Sequence, residues 1–202
     1  MTDIVIIDYG MGNLRSVTRG LEHAGADVTI SSDPAVMSKA DAVVLPGVGA
    51  FQDAMKNLEP LKADLIELVN TGKPLLGICL GMQMLLTQSE EGGINNGLDM
   101  VPGKVVRFPE SVGKVPHMGW NSLTIKSDHP FFKGLPQQTY VYFVHSYYAD
   151  CAPEYTLATS DYNLEFAAAV VNRQGNVMGT QFHPEKSGDW GLKMLENFVE
   201  MC

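Results

Sequence analysis

Cys79 occupies the centre of the segment Gly77-Ile78-Cys79-Leu80-Gly81, between an apolar run and a stretch with helical spacing. A reactive residue at a strand-to-helix turn, with glycines two positions before and after it, is typical of a nucleophile elbow. The following helix would place backbone amides and partial positive charge near the sulfur, which favours the thiolate. A cysteine that only fills the core is the competing interpretation, because free cysteines are among the most buried residues. The glycine spacing leaves the two interpretations evenly matched until a partner residue is found.

A histidine and a carboxylate that could serve this cysteine lie far along the chain, in QFHPEKS (181–187). If the preceding strand runs into this segment, His183 ends it and Glu185 presents its side chain on the same side of an extended backbone. Pro184 favours that extended form for His183. His183 would deprotonate Cys79 while Glu185 orients the imidazole. An isolated H-x-E pair is more often a solvated surface turn, but with an elbow cysteine it predicts a Cys79–His183–Glu185 triad.

Backbone amides near these residues could bind the negative charge that develops during acyl transfer. The Leu80 N–H is one candidate donor. PGVG (46–49) offers the amides of Gly47 and Val48, next to glycines that allow unusual dihedral angles. An ordinary strand-to-helix turn explains PGVG equally well. Gln83 could bind a polar substrate, and an exposed helical glutamine is the usual alternative.

The elements that would position these residues alternate between strand and helix over the first 90 residues. This alternation predicts a mostly parallel central sheet with helices on both faces, in which ligands bind beyond the carboxyl ends of the strands. The predicted strands there are 3–8, 26–30, 41–49 and 73–81. The predicted helices are 14–24, 50–71, with an interruption near Pro60, and 81–89.

The second half has a different pattern and predicts a smaller antiparallel sheet followed by one amphipathic helix, 189–201. Its predicted strands are 104–108, 122–126, 139–148, 155–160, 166–172 and 177–183. No repeat or linker separates the halves, so a single α/β domain is expected over residues 1–202.

Composition narrows the class of protein. The 202 residues are 45% hydrophobic and 18% charged, which predicts a packed globular core. A formal net charge of −9 argues against nucleic-acid binding, and no apolar run is long enough to span a membrane. Three widely spaced cysteines predict free thiols in a reducing, cytoplasmic setting and no metal site. Neither a dinucleotide-binding nor a P-loop pattern is present, so no cofactor is expected.

Taken together, PGVG, GICLGMQ (77–83) and HPEKS (183–187) resemble the class I glutamine amidotransferases. DYGMGNLRS (8–16), VPHMGWN (115–121) and YFVHSYY (142–148) extend the resemblance to the glutaminase subunits of imidazole glycerol phosphate synthases. Related amidotransferases usually carry a Gly-Gly pair in the oxyanion segment, whereas PGVG is the form of this narrower family. The resemblance covers essentially the whole chain.

The resemblance implies hydrolysis of glutamine to glutamate and ammonia through a γ-glutamyl thioester on Cys79. His183 would be the base and acid, and Glu185 the orienting carboxylate. The second oxyanion amide, in Gly47–Val48, would need a peptide reorientation triggered by a partner. Glutamine recognition maps by matching position to Gln83, Ser146 and Tyr147.

The resemblance also implies a partner, a separate cyclase subunit with a (β/α)₈ barrel that receives the ammonia in histidine biosynthesis. An exposed aromatic and basic cluster suits such an interface, although Trp120 and Tyr142 are slightly better explained as core residues. The interface positions implied by the family match are Asn13, Arg15, Trp120, Tyr142 and Lys186.

Two other functions remain open. The chain could be another glutaminase or a γ-glutamyl hydrolase of the same superfamily, although VPHMGWN and YFVHSYY disfavour this. A redox or regulatory protein could use the elbow cysteine as a sensor. The presence of both His183 and Glu185 argues against a sensor, since a sensor thiol needs no such pair.

Overall fold

The computed structural model describes residues 1–202 and contains thirteen strands and six α-helices. The strands are β1 (Asp3–Ile7), β2 (Asp27–Ser31), β3 (Ala42–Leu45), β4 (Leu75–Ile78), β5 (Leu86–Ser89), β6 (Asn95–Asn96), β7 (Val101–Arg107), β8 (His117–Ile125), β9 (Thr139–His145), β10 (Tyr147–Asp150), β11 (Thr156–Asp161), β12 (Glu165–Val171) and β13 (Val177–Thr180). The helices are α1 (Leu14–His23), α2 (Pro34–Lys39), α3 (Phe51–Leu58), α4 (Lys62–Asn70), α5 (Leu80–Met84) and α6 (Gly188–Met201).

Five parallel strands form one side of the sheet, in the order β2-β1-β3-β4-β13. Strands β3, β4 and β13 are buried along their whole length, as expected for parallel strands covered on both faces. Along β1, Ile4 and Ile6 belong to one apolar cluster while Val5 and Ile7 belong to another. Because side chains alternate along a strand, these clusters are the cores on the two faces of the sheet.

The antiparallel part continues from the parallel part without a break. Strand β12 pairs antiparallel with β13, and β10 and β7 follow it in the same sheet. Strands β11, β8 and β9 branch from β12 and pair antiparallel with one another. The expected mixed architecture, with helices around a largely parallel sheet and an antiparallel part from the second half, is confirmed.

The predicted helix over 81–89 is wrong in its second half. Helix α5 ends at Met84, and Leu86–Ser89 forms β5, which pairs parallel with β7 and antiparallel with β6. Backbone pairing with strands distant in sequence therefore overrides the local helical pattern of GMQMLLTQS. Strand β8 also begins at His117, earlier than predicted, because 117–123 pairs residue by residue with β9.

Side-chain caps satisfy a free backbone amide at the start of two helices. The Asn13 side chain accepts a hydrogen bond from the Ser16 amide at the start of α1, and Asp33 accepts one from Ala35 at the start of α2. None of the six helices combines the length and apolar character needed to cross a membrane.

Candidate active site

The turn between β4 and α5 holds Cys79 in a left-handed backbone conformation, with φ 55° and ψ −110°. Such a conformation is strained for a non-glycine residue and persists only where the surrounding structure enforces it. The glycines explain how it is enforced. A Cβ at Gly81 would overlap the Leu45 carbonyl oxygen, and one at Gly77 would lie 2.8 Å from the Gly81 backbone. The Cys79 amide donates to Thr180 at 2.7 Å, which ties the elbow to β13.

His183 and Glu185 form a buried pair beside this elbow. The His183 Nδ1 and Glu185 Oε1 atoms are 2.8 Å apart, and both side chains are at most 4% exposed. The backbone between these two residues is not the extended strand that the sequence predicted. Strand β13 ends at Thr180, and residues 184–186 form a 3₁₀ turn that brings Glu185 back to the imidazole. His183 itself is extended, as Pro184 requires.

The surroundings of His183 change its acidity. Burial alone lowers the pKa of the imidazole, but the adjacent Cys79 sulfur and the Glu185 carboxylate outweigh burial and raise the pKa to about 9. The hydrogen bond of regular geometry on the His183 ring is the one to Glu185. The Cys79 sulfur raises the pKa of the ring because it lies close to it. His183 is therefore protonated at neutral pH and can deliver a proton to a leaving group.

A cavity of about 410 Å³ opens onto Cys79 and His183. Of the residues with a predicted role in oxyanion or substrate binding, five line it: Val48, Leu80, Gln83, Ser146 and Tyr147. Gly47 does not line it. Gly47 is packed against α5, where a Cβ would lie 2.8 Å from the Gly81 amide nitrogen. In PGVG the positive φ belongs to Gly49, at 103°, and Gly49 lines the cavity beside Val48.

Gln83 is buried, which excludes the alternative of an exposed helical glutamine. Its Nε2 donates to the Tyr147 carbonyl oxygen and to Gln181 Oε1, both at 3.1 Å. Gln181 in turn places its Nε2 3.8 Å from the Cys79 sulfur. Both amide hydrogens of Gln83 are used inside the protein, so its amide oxygen is the atom available to a ligand.

Two residues at the site, Gln181 and His145, were not found from the sequence, whereas Glu91 belongs to the acidic segment SEEGG (89–93), which follows the elbow helix and could be expected either to be solvated or to border the pocket. Gln181 precedes the H-x-E segment by two residues, and that spacing is the signal that could have indicated it. Glu91 lines the cavity and accepts a hydrogen bond from the Phe51 amide at the start of α3. His145 also lines the cavity, but in the sequence it is one histidine inside an apolar strand and carries no distinguishing signal.

The proposed interface residues occupy different environments. Trp120 is 56% exposed, so its interpretation as a core residue is wrong. It faces the half-buried Tyr142 across β8 and β9, with ring centroids 6.2 Å apart. Arg15 and Lys186 are exposed, and the half-buried Asn13 has a structural role as the α1 cap.

A larger cavity, of about 960 Å³, lies beside β10, β11 and β12. It contains Cys151 and His129 but none of the triad, and nothing there pairs a nucleophile with a base. The smaller cavity is the candidate active site because it holds the strained cysteine and the histidine–carboxylate pair. No group of three or more His, Cys, Asp or Glu side chains is arranged to hold a metal ion.

Comparisons with known proteins agree with this geometry. The family model for class-I glutamine amidotransferases matches residues 5–202. The imidazole glycerol phosphate synthase subunit HisH of Methanosarcina mazei is 63% identical over the whole length of both chains, and that of Archaeoglobus fulgidus is 49% identical over 98% of each. Among solved structures, a chain of PurLQS from Thermotoga maritima superposes with a TM-score of 0.79 at 18% identity, covering 99% of this chain and 98% of that one. This last likeness concerns the fold alone.

The fold, the elbow and the family match define a class-I glutamine amidotransferase. Within that class, the chain belongs to the family of the imidazole glycerol phosphate synthase subunit HisH.

Proposed function

We propose that Cys79, His183 and Glu185 hydrolyse the side-chain amide of L-glutamine, and that this is how the chain acts as the glutaminase subunit of an imidazole glycerol phosphate synthase in histidine biosynthesis. The observation that carries the proposal is the buried His183–Glu185 pair beside a cysteine strained into an elbow, at the wall of one cavity. A thiol that only senses oxidation would need no buried carboxylate to orient a histidine beside it.

The chemistry follows from the positions of these groups. His183 holds the proton of the Cys79 thiol, and the resulting thiolate attacks the amide carbon of glutamine to form a tetrahedral oxyanion. The Leu80 amide stabilises this oxyanion, and the Val48 amide joins it after a peptide reorientation triggered by the cyclase. Protonated His183 gives its proton to the departing nitrogen, the C–N bond breaks and ammonia leaves behind a γ-glutamyl thioester. Water then attacks the thioester, His183 takes the proton from that water, and glutamate is released. Glu185 holds the ring orientation throughout.

Glutamine recognition uses Gln83, Ser146 and Tyr147, which line the cavity together with Cys79. The free amide oxygen of Gln83 can accept a hydrogen bond from the substrate ammonium group. A cavity of about 410 Å³ accommodates an amino acid of this size.

The ammonia passes to a cyclase subunit, a separate chain with a (β/α)₈ barrel. The exposed Trp120, with Tyr142 beside it, supports a docking face on β8 and β9, and Asn13, Arg15 and Lys186 complete the proposed interface. The 202 residues act as one domain, which the continuous sheet and the match over residues 5–202 support. Three free cysteines fit a cytoplasmic location.

The test is glutaminase activity of the chain alone and mixed with the cyclase. Cys79→Ala is expected to lower glutamine turnover by at least about a thousandfold, as removal of a catalytic nucleophile does, without changing the unfolding midpoint. Cys151→Ala, at a half-buried cysteine outside the cavity, is the matched control and keeps its turnover. Unchanged turnover in Cys79→Ala would refute the triad. High activity without the cyclase would instead favour an independent hydrolase.

A further inference from the structure

Two buried histidines outside the triad connect β8 and β9 to the glutamine cavity. His117 on β8 and His145 on β9 are opposite each other in the strand register, and the His117 Nδ1 and His145 Nε2 atoms are 3.0 Å apart. The His145 Nδ1 lies 2.8 Å from the Tyr147 carbonyl oxygen, the same oxygen that accepts from Gln83. On the far side, Asn121 Nδ2 is 3.2 Å from the His117 Nε2.

The chemistry of these atoms allows only one arrangement of protons. A carbonyl oxygen can only accept, so the Nδ1 of His145 must carry hydrogen and, in the neutral ring, its Nε2 must accept. His117 therefore donates from Nδ1, and its Nε2 accepts from Asn121. Every donor faces an acceptor, from Asn121 through both rings to Tyr147.

Packing keeps the two rings neutral and fixed. His117 is stacked between Phe143 and Tyr162, with ring centroids 4.8 Å and 4.1 Å away. Phe166 packs against His145 at 5.1 Å. Burial lowers the pKa of His117 to about 4 and that of His145 to about 3, so both are uncharged at neutral pH.

At its inner end the chain of hydrogen bonds reaches the reacting atom. The Tyr147 carbonyl holds one hydrogen of the Gln83 amide, Gln181 holds the other, and Gln181 contacts the Cys79 sulfur. The orientation of the Gln83 oxygen therefore depends on where the Tyr147 carbonyl is held. Two uncharged imidazoles packed among aromatic rings would be a costly way to fill a core, since each polar nitrogen must be matched by a partner.

We infer that His117 and His145 are positioning residues for glutamine binding, which act by fixing the Tyr147 carbonyl and, through it, the Gln83 amide that faces the substrate. This inference rests on the proposed function, since the ligand concerned is glutamine. Neither histidine takes part in the proton transfers of the triad.

The test measures glutamine binding by calorimetry in a Cys79→Ala background, where no turnover occurs, with the chain alone and mixed with the cyclase. Because Asn reproduces the Nδ1 position of histidine and Gln reproduces Nε2, His117→Asn keeps the donor to His145 while His117→Gln loses it. We expect His117→Asn to bind glutamine within about twofold of the parent, and His117→Gln and His145→Phe to bind at least about tenfold more weakly, as the loss of one well-placed hydrogen bond implies.

The matched control is His129→Asn, a partly buried histidine outside this chain of hydrogen bonds whose Nδ1 accepts from the Phe131 amide. In the active chain with the cyclase, the same His117→Gln variant is expected to raise the KM for glutamine with a much smaller change in kcat. A general loss of stability would instead lower the apparent kcat and leave KM unchanged, because it only reduces the fraction of folded enzyme. If His145→Phe does not fold, the difference in glutamine affinity between His117→Asn and His117→Gln still tests the positioning role.

Equal affinities for His117→Asn and His117→Gln, or a fall in kcat with unchanged KM, would overturn the positioning role. Failure of the Cys79→Ala parent to bind glutamine with or without the cyclase would overturn the proposed function itself, and this inference with it. The two failures are therefore distinguishable.

Discussion

Two glycines shape the backbone at Cys79, the proposed nucleophile. Gly77 and Gly81 allow β4 and α5 to meet closely enough that Cys79 is left with a positive φ. The packing of the surrounding strands balances the strain at this one residue, which is buried at the edge of the core and lines the cavity wall. The glycine spacing in the sequence thus corresponds to a steric requirement in the fold.

A substitution at this turn should therefore be unusually costly. Gly81→Ala is expected to lose at least about 3 kcal/mol of stability or not to fold, because the new methyl group overlaps the Leu45 carbonyl, which cannot move without breaking the sheet. Gly72→Ala is the control. The methyl group added at Gly72 would meet open space, but the φ of 91° is strained for alanine, so a loss of only about 1 kcal/mol of stability is expected. Urea unfolding of both variants measures the difference, and equal losses would contradict the steric explanation.

The raised pKa of His183 predicts the alkaline limit of activity. In the proposed mechanism the protonated ring releases ammonia, so kcat/KM with the cyclase should fall as the pH rises through about 9. Glu185 raises the pKa of His183, so Glu185→Gln should move this limb to lower pH as well as reduce the rate. Glu90→Gln, at an exposed ion pair with Lys104, is the control. An alkaline limb at the same pH in Glu185→Gln would show that another group sets it.

At the scale of elements, β8 and β9 carry two different features on their two faces. One face presents Trp120 to solvent, and the other buries His117 and His145 among aromatic rings. Alternation along a strand separates these features by only one or a few residues. The β8–β9 pair therefore borders both the proposed docking face and the candidate active-site cavity.

The buried histidines of this hairpin predict how stability depends on pH. Their pKa values are lowered, so between pH 6.5 and about 4 the unfolded chain binds more protons than the folded one, and stability falls as the pH falls through that window. His183 has the opposite sign, because its raised pKa contributes stability below pH 6.5 that is lost as the pH rises towards 9. Replacing one of these two histidines with a residue that does not titrate should therefore make stability less dependent on pH below 6.5.

His117→Asn is such a replacement, and its urea midpoint should fall less than that of the parent between pH 7 and pH 4.5. His23→Asn, at an exposed position on α1, is the control and should follow the parent. A parallel fall in parent and His117→Asn would mean that carboxyl groups alone govern acid unfolding.

The first helix allows stability and docking to be separated at Asn13. Asn13→Ala removes the cap of α1 and should cost about 1 kcal/mol, while Asn13→Ser retains a capping oxygen and most of the stability. Asp33→Ala removes the equivalent cap of α2 and serves as the control away from the proposed interface. If Asn13 also contacts the cyclase, both Asn13 variants should weaken its binding. Normal cyclase binding by Asn13→Ser would leave Asn13 with the capping role alone.

At the scale of the whole molecule, the proposed triad is assembled from two segments that are far apart in the sequence. Strands β4 and β13 are adjacent and parallel although about 100 residues separate them, with Thr180 opposite Ile78 in the register. Because both strands point the same way, Cys79 and His183 emerge at the same edge of the sheet, which is where ligands bind in open α/β sheets. The exposed Trp120 lies on the branch formed by β8 and β9, and it is the residue we expect to anchor the partner.

Trp120→Ala should therefore weaken binding of the cyclase at least about tenfold, as removal of a central aromatic anchor does, without changing the unfolding midpoint. Ile30→Ala, at an exposed apolar side chain on the edge strand β2, is the matched control. Calorimetry or surface binding measurements with purified cyclase check this. Unchanged affinity in Trp120→Ala would place the docking face elsewhere.

What the sequence by itself determined is local. The strand-to-helix elbow at Cys79, the H-x-E segment and the buried apolar runs of β1, β3 and β4 could all be read from residue type and spacing, because turn sterics and hydrophobic burial depend mainly on neighbouring residues. The tertiary structure decided the features that depend on contacts between distant segments. It made residues 86–89 a strand instead of a helix end, left Trp120 exposed and kept Gly47 out of the cavity. It also brought His145 next to His117, and Gln181 next to Cys79. A strand's partners, and the environment of a histidine inside it, are set by backbone hydrogen bonds and packing from elsewhere in the chain, and no local pattern carries that information.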